Sequence, residues 1–139
     1  MVFETYKGVV YPQQCDLFGH MNIQFYMAKY DEAAWNFFSQ LGFDTHFFHV
    51  QRKGLAALEH HIRYFKELKA GEALYIESTL LKMERKTITF EKKMYRQVDQ
   101  LICSQLIATA ALMDLESRSA IPFSEDEKAL LTPFLPAGS

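Results

Sequence analysis

The chain has 139 residues, 49% of them apolar, with twelve Phe, seven Tyr and one Trp, so it has the length of one ordinary domain and enough apolar mass for a real core. A formal charge of −2, with no Lys/Arg run, gives no footing for nucleic acid or an anionic membrane surface. No apolar stretch approaches the roughly 20 residues that span a bilayer, no charged and then apolar leader opens the chain, and Cys15 and Cys103 lack metal-ligand spacing; the expectation is a reduced, cytoplasmic protein with one domain over residues 1–139.

Residues 3–11 read as a strand closed by Pro12, and residues 12–22 as a mostly irregular segment carrying Pro, Asp, Gly and Asn. The spacing then predicts one long helix over 23–41, because Tyr26, Tyr30, Ala33, Ala34, Phe37 and Leu41 recur every three or four residues. Gly42 is suited to end it in the left-handed conformation. Phe25, Trp35 and Phe38 lie off the stripe, which predicts burial on more than one side. Residues 43–50, FDTHFFHV, read as an aromatic loop that either closes over a pocket or packs.

After residue 50 the periodicity changes to that of strands. Residues 54–65 set Leu58, His60, Ile62 and Tyr64 on one face. Residues 73–84 and 87–98 flank a basic turn, Glu84-Arg85-Lys86, with Ile88, Phe90, Met94 and Val98 on the apolar face of the second strand. Residues 101–115 form a near-continuous apolar run after a tight turn at Asp99-Gln100. Ser124 and Glu127 make a capping box for a final helix over 125–131, stopped by Pro133. One long helix among antiparallel strands is an α+β layout, and its open sheet edge favours pairing with a second copy.

The segment Asp16-Leu17-Phe18-Gly19-His20-Met21-Asn22 sets a carboxylate, a glycine, an imidazole and an amide just before the helix. Free N–H groups at a helix start polarise a carbonyl oxygen, and a carboxylate beside them activates water or attacks the same carbon. Acyl transfer needs that pair. On spacing alone the plainer reading, an Asn22 cap and a solvated loop carboxylate, carries more weight. The other candidates are weaker. Glu32 lies more than two helical turns along, Glu59 and His60 point to opposite faces, and His46 and His49 lack a third metal ligand. Cys15 has no assigned base and reads as a small buried residue.

The pattern D-x-x-G-H-M-N-x-x-x-Y over residues 16–26, followed by Tyr30-Asp31-Glu32-Ala33, resembles the signature of the 4-hydroxybenzoyl-CoA thioesterase family, hotdog-fold acyl-CoA hydrolases. Glu59-His60-His61-Ile62-Arg63-Tyr64, the Lys69-Ala70-Gly71-Glu72 turn, and Met113-Asp114 leading to Arg118 and Ile121-Pro122 extend the resemblance over roughly residues 3–130. It implies a long antiparallel sheet wrapped around one central helix, an acyl-CoA substrate, a homodimer or homotetramer, and no metal or cofactor. It also implies that Asp16 is the catalytic carboxylate, as nucleophile or general base, and that the polarising backbone amide lies near Ile23. His20, Asn22 and Tyr26 match motif positions with Gly19, although Tyr26 reads equally well as a helix core residue. Many relatives carry a second Asn where this chain has Ile23, so only a backbone role survives there. Arg85 and Lys86, with Lys82 and Arg63 nearby in sequence, are candidates for the CoA phosphates, or simply a solvated hairpin. A hotdog hydratase or dehydratase is the rival activity, but its usual D-x-N-P-x-H arrangement is not matched. A non-catalytic acyl-thioester-binding protein on the same fold is the third reading. The acyl group, and the choice between CoA and acyl carrier protein, are left open.

Overall fold

In the computed structural model, which describes residues 1–138, the chain forms a six-stranded antiparallel sheet around one long helix, the expected α+β hotdog arrangement. The expected domain end at Ser139 lies outside the described residues. The elements are β1 (Val2–Val9), α1 (Ile23–Leu41), α2 (Thr45–His49), β2 (Lys53–Tyr64), β3 (Ala73–Met83), β4 (Thr87–Arg96), β5 (Ile102–Asp114), β6 (Ser119–Ala120) and α3 (Glu125–Leu131). The strand order is β1-β3-β4-β5-β2, with β6 added to β5. No helix among the described residues is long and apolar enough to cross a membrane.

The inner face of the sheet follows from alternation. Leu74, Ile76 and Leu80 of β3, Ile88, Phe90 and Met94 of β4, and Leu106, Ala108, Ala110 and Leu112 of β5 are all buried. Against them α1 lays Tyr26, Tyr30, Ala33, Phe37 and Leu41, the predicted stripe, with Ala34 partly covered. Of the three residues off the stripe, Phe38 is buried, Phe25 half-buried and Trp35 51% exposed, so the second side of the helix is only partly covered. Asn22 caps α1 through its side-chain oxygen, which accepts from the Gln24 amide, and Gly42 ends it at φ 108.

Three segments depart from expectation. β4 ends at Arg96, where the chain turns, so Val98 lies outside the strand and is 85% exposed rather than on its apolar face. Residues 43–50 are not a loop: Asp44 accepts hydrogen bonds from the amides of His46 and Phe47 and so starts α2, a helix too short to leave a periodic signal. Phe43 and Phe47 are core residues, and Phe48 packs on Trp35. In β2, a bulge between Ala57 and Glu59 leaves Leu58 unpaired and 62% exposed. Leu58 therefore does not share a face with His60, Ile62 and Tyr64. Ala57 stands opposite Ala110, then His60 opposite Ala108 and Ile62 opposite Leu106, so both halves of the strand still face inward.

Candidate active site

The segment between β1 and α1 closes on itself as a small loop. Cys15 and Met21 form an isolated bridge, the Asp16 amide donates to the His20 carbonyl at 3.1 Å, and the Gly19 amide donates to the Asp16 carbonyl at 3.0 Å. Gly19 has φ 85, which makes glycine the natural residue at this turn. Leu17 and Phe18 form the exposed tip. The loop is tied down where the Met21 amide donates to the Leu68 carbonyl at 2.7 Å.

The Asp16 carboxylate is held at both oxygens. Oδ1 accepts from the Phe18 amide and Oδ2 from Asn22 Nδ2, each at 2.9 Å. The Asn22 amide, the Phe18 N–H and the nearby His20 hold its pKa below the usual carboxylate range, so it is ionised at neutral pH. Asn22 thus does two jobs: its oxygen caps α1 and its nitrogen grips Asp16. The helix cap of the plainer reading is present, and the same side chain also touches the candidate carboxylate. The cap takes the amide of Gln24, and the Asn22 carbonyl takes that of Phe25; neither takes that of Ile23. The Ile23 amide is thus taken by neither Asn22 oxygen, and it lies at the positive end of the helix dipole.

Next to this lies a cleft of about 370 Å³ lined by His20, Ile23, Tyr26, Tyr64, Phe65 and Glu67, among others. Asp16 is not part of its wall. His20 reaches the Met21 carbonyl through Nδ1 at 3.3 Å and faces Glu67 across 3.9 Å, and its ring stacks on Phe18. Ile23 is 63% exposed, as a residue with only a backbone role can be. Tyr26 is 3% exposed, sits edge-on to Tyr64, and has its pKa pushed up to about 12 by burial, so its phenol stays protonated.

The structure brings Asp16, Gly19, His20, Asn22 and Ile23 together, with Tyr26 beneath them. It does not bring Arg85 and Lys86 there within one chain. The Asp16 loop follows β1, whose end pairs with Ala73 at the start of β3, whereas the Arg85-Lys86 turn follows Met83 at the other end of that strand. Ten residue steps of strand put about 33 Å between them. The turn packs instead against β5 and the start of α3, through the Lys86 carbonyl to Leu112 and the Arg85 carbonyl to Phe123. Glu32, exposed on α1, places its charge near Tyr6 and Lys29, toward β1.

Two buried lysines, Lys29 and Lys92, escaped the sequence reading. Lys92 of β4 is 2% exposed on the inner face, with Nζ donating to the Tyr30 carbonyl at 2.9 Å. Burial pushes its pKa down to about 7. The signal was its place in the alternation Ile88, Phe90, Lys92, Met94, where the strand period turns a lysine inward.

A Pseudomonas aeruginosa betainyl-CoA thioesterase is 27% identical over 94 residues, 68% of this chain, and the chain spans only 59% of the length of that relative. Among solved structures, a Staphylococcus aureus hypothetical protein in complex with CoA superposes with a TM-score of 0.88 at 16% identity, covering 100% of this chain and 89% of that one. The 1,4-dihydroxy-2-naphthoyl-CoA thioesterase of Synechocystis gives 0.79 at 13% identity, covering 95% and 96%. At such identities these structures speak for the fold. The family model of the thioesterase-like superfamily matches residues 10–131, from the end of β1 to the end of α3 and across the whole Asp16 loop, and the chain belongs to that superfamily.

Proposed function

We propose that this chain hydrolyses the thioester of an acyl-CoA to a carboxylate and free CoA, with Asp16 as the reacting carboxylate. The observation that carries the reading is the ionised, doubly hydrogen-bonded Asp16 beside the open N-terminus of α1. A thioester carbonyl set on the Ile23 amide has its oxygen polarised by that N–H and by the helix dipole. Asp16 either takes a proton from water as it attacks the carbonyl carbon, or attacks that carbon itself and leaves an anhydride that water cleaves. In both routes the carbon–sulfur bond breaks and the CoA thiolate leaves and gains a proton. Asn22 orients Asp16, His20 carries protons at the cleft, and Tyr26 packs beneath the helix start. Family membership supports hydrolysis, and relatives described with CoA support it as the thiol carrier.

The working form in this proposal is a dimer joined along β2, in the cytoplasm. Support comes from the bare β2 edge, with Leu58, Tyr64 and Phe65 exposed, and from the free thiols of Cys15 and Cys103. Antiparallel pairing of β2 sets the Tyr64 end of one copy, where its Asp16 loop lies, against the Lys53 end of the other. The Arg85-Lys86 turn lies at that second end, since Leu112, bonded to Lys86, pairs with Leu55. The turn then serves the CoA phosphates of the neighbouring copy.

The test is thiol release from a panel of acyl-CoAs, run beside hydration of an enoyl-CoA. Asp16→Asn should keep the fold by circular dichroism and lose about 100-fold or more in kcat on the best substrate. A folded variant that keeps most of its turnover, or a wild type that hydrates and does not hydrolyse, overturns the reading.

A further inference from the structure

Lys92 is a buried cation in the wall of a partly open cavity. That cavity, of about 110 Å³, lies between α1 and the inner face of β2, β4 and β5; Lys92, Asp31, His60, Trp35, Phe38 and Phe90 stand in its wall. The ammonium has three N–H donors. One goes to the Tyr30 carbonyl, and Nζ also lies 5.0 Å from the centre of the Phe90 ring. None of the ion pairs among the described residues includes Lys92. Asp31, exposed on α1, acts on it only at a distance. A charge taken out of water without a partner is costly, and a guest that brings the counter-charge removes the cost.

The place of this cavity says which guest. Ile23 borders the cleft beside Asp16, while Met27, Tyr30, Asp31 and Ala34, farther along one side of α1, border the Lys92 cavity. β2 borders both, with Tyr64 at the first and His60, Ala57 and Leu55 at the second. The two hollows therefore lie in a row between one helix and one strand. Seven helical residues separate Ile23 from Tyr30, about 10 Å along the axis. That spacing is within reach of an acyl chain whose carbonyl sits on the Ile23 amide.

We propose that Lys92 is a specificity residue for acyl groups that end in a carboxylate, held about 10 Å from the thioester carbonyl. This rests on the thioesterase reading for the position of the carbonyl. Two separate measurements keep the ideas apart. Hydrolysis of any acyl-CoA tests the first. Binding of non-hydrolysable CoA analogues, with methylene in place of the thioester sulfur, tests the second by calorimetry. The suberyl analogue should bind the wild type about tenfold or more tighter than the octanoyl, 8-hydroxyoctanoyl and trimethylammonium-ended analogues, the gap that one charge-assisted hydrogen bond supplies. Lys92→Met, one atom shorter and free of charge, should erase that gap. Should the variant not fold, the wild type alone decides. Its suberyl-to-octanoyl affinity ratio should fall as pH rises through 7, as Lys92 loses its proton. The other titratable groups in that wall are Asp31 and Tyr30 from α1 and His60 from β2, the Tyr30 phenol being kept protonated by burial, whereas β5 presents only Leu106, Ala108, Thr109 and Ala110. Burial lowers the His60 pKa, so His60 has shed its proton before that range, and His60→Asn should leave the slope in place. Equal binding of the analogues, a ranking led by a neutral or cationic end, or a ratio indifferent to both Lys92 and pH overturns the proposal, whatever the hydrolysis assay returns.

Discussion

At the scale of single residues, the site divides into a part that is local in sequence and a part that is not. That Asp16, Gly19, His20 and Asn22 fall together was legible because seven consecutive residues make the loop, a grouping that needs no knowledge of the sheet. The double role of Asn22 was not legible, since a cap and a carboxylate clamp leave the same letter. It yields a prediction. Asn22→Ala removes the cap, costing about 1 kcal/mol in urea unfolding, and also removes the first cause of the lowered Asp16 pKa. The acid limb of kcat/KM should move to higher pH; a limb that stays put would mean that Asn22 does not govern Asp16. Lys92 is the opposite case, visible only once its strand is known to face a helix. Its amine titrates near 7 in the fold and near 10.5 unfolded. Between those values the unfolded chain holds the proton and the fold does not, so raising pH stabilises the wild type there. The slope is at most about 1.4 kcal/mol per pH unit. The stability of the wild type minus that of Lys92→Met should therefore climb from pH 7 to 9.5, and a flat difference counts against a depressed Lys92.

At the scale of elements, what was legible is what repeats. The predicted ends of α1 and α3 coincide with the observed ones because each carries its own boundary signals, Asn22 and Gly42 for one and the Ser124–Glu127 box for the other. The long strands were bounded by their turns. The structure corrected features with no period, a five-residue helix and a one-residue bulge. The C-terminus of α1 can be tested directly. Gly42 sits at φ 108, where an alanine is strained, and an added Cβ would meet Leu130 Cδ1 at 3.3 Å. Gly42→Ala should cost about 1 kcal/mol or more in chemical denaturation, with turnover per folded molecule preserved because the Asp16 loop is at the far end of the helix. A neutral result would show that the backbone there yields without penalty.

At the scale of the whole molecule, the distance between the Asp16 loop and the Arg85-Lys86 turn makes the proposed dimer testable in a way that oligomeric state alone does not. Arg85 and Lys86 both changed to Ala should raise KM for acyl-CoA with kcat nearly unchanged, an effect absent with an acyl-pantetheine. A mixed dimer of that variant with Asp16→Asn then separates the two geometries. If the turn serves the other copy, one site carries both lesions and the other carries none, so the mixture keeps half the activity at wild-type KM. If it serves its own chain, the surviving site keeps the raised KM. A stable monomer at micromolar concentration in light scattering would remove the premise. The fold class was legible from the element order, but this relation was not, because it depends on how a sheet edge meets a second copy rather than on any residue.

The bulge at Leu58 behaves as a frameshift within one strand. Everything before it and everything after it is written in a different parity, and a single extra letter keeps both halves pointing at the helix. Delete that letter and strict alternation returns. Either Leu55 and Ala57, or His60, Ile62 and Tyr64, must then turn away to the outside. The wall shared by both hollows is thus set by a count rather than by a composition, and gain or loss of one residue at this point is a short mutational route to a differently lined groove on an unchanged fold.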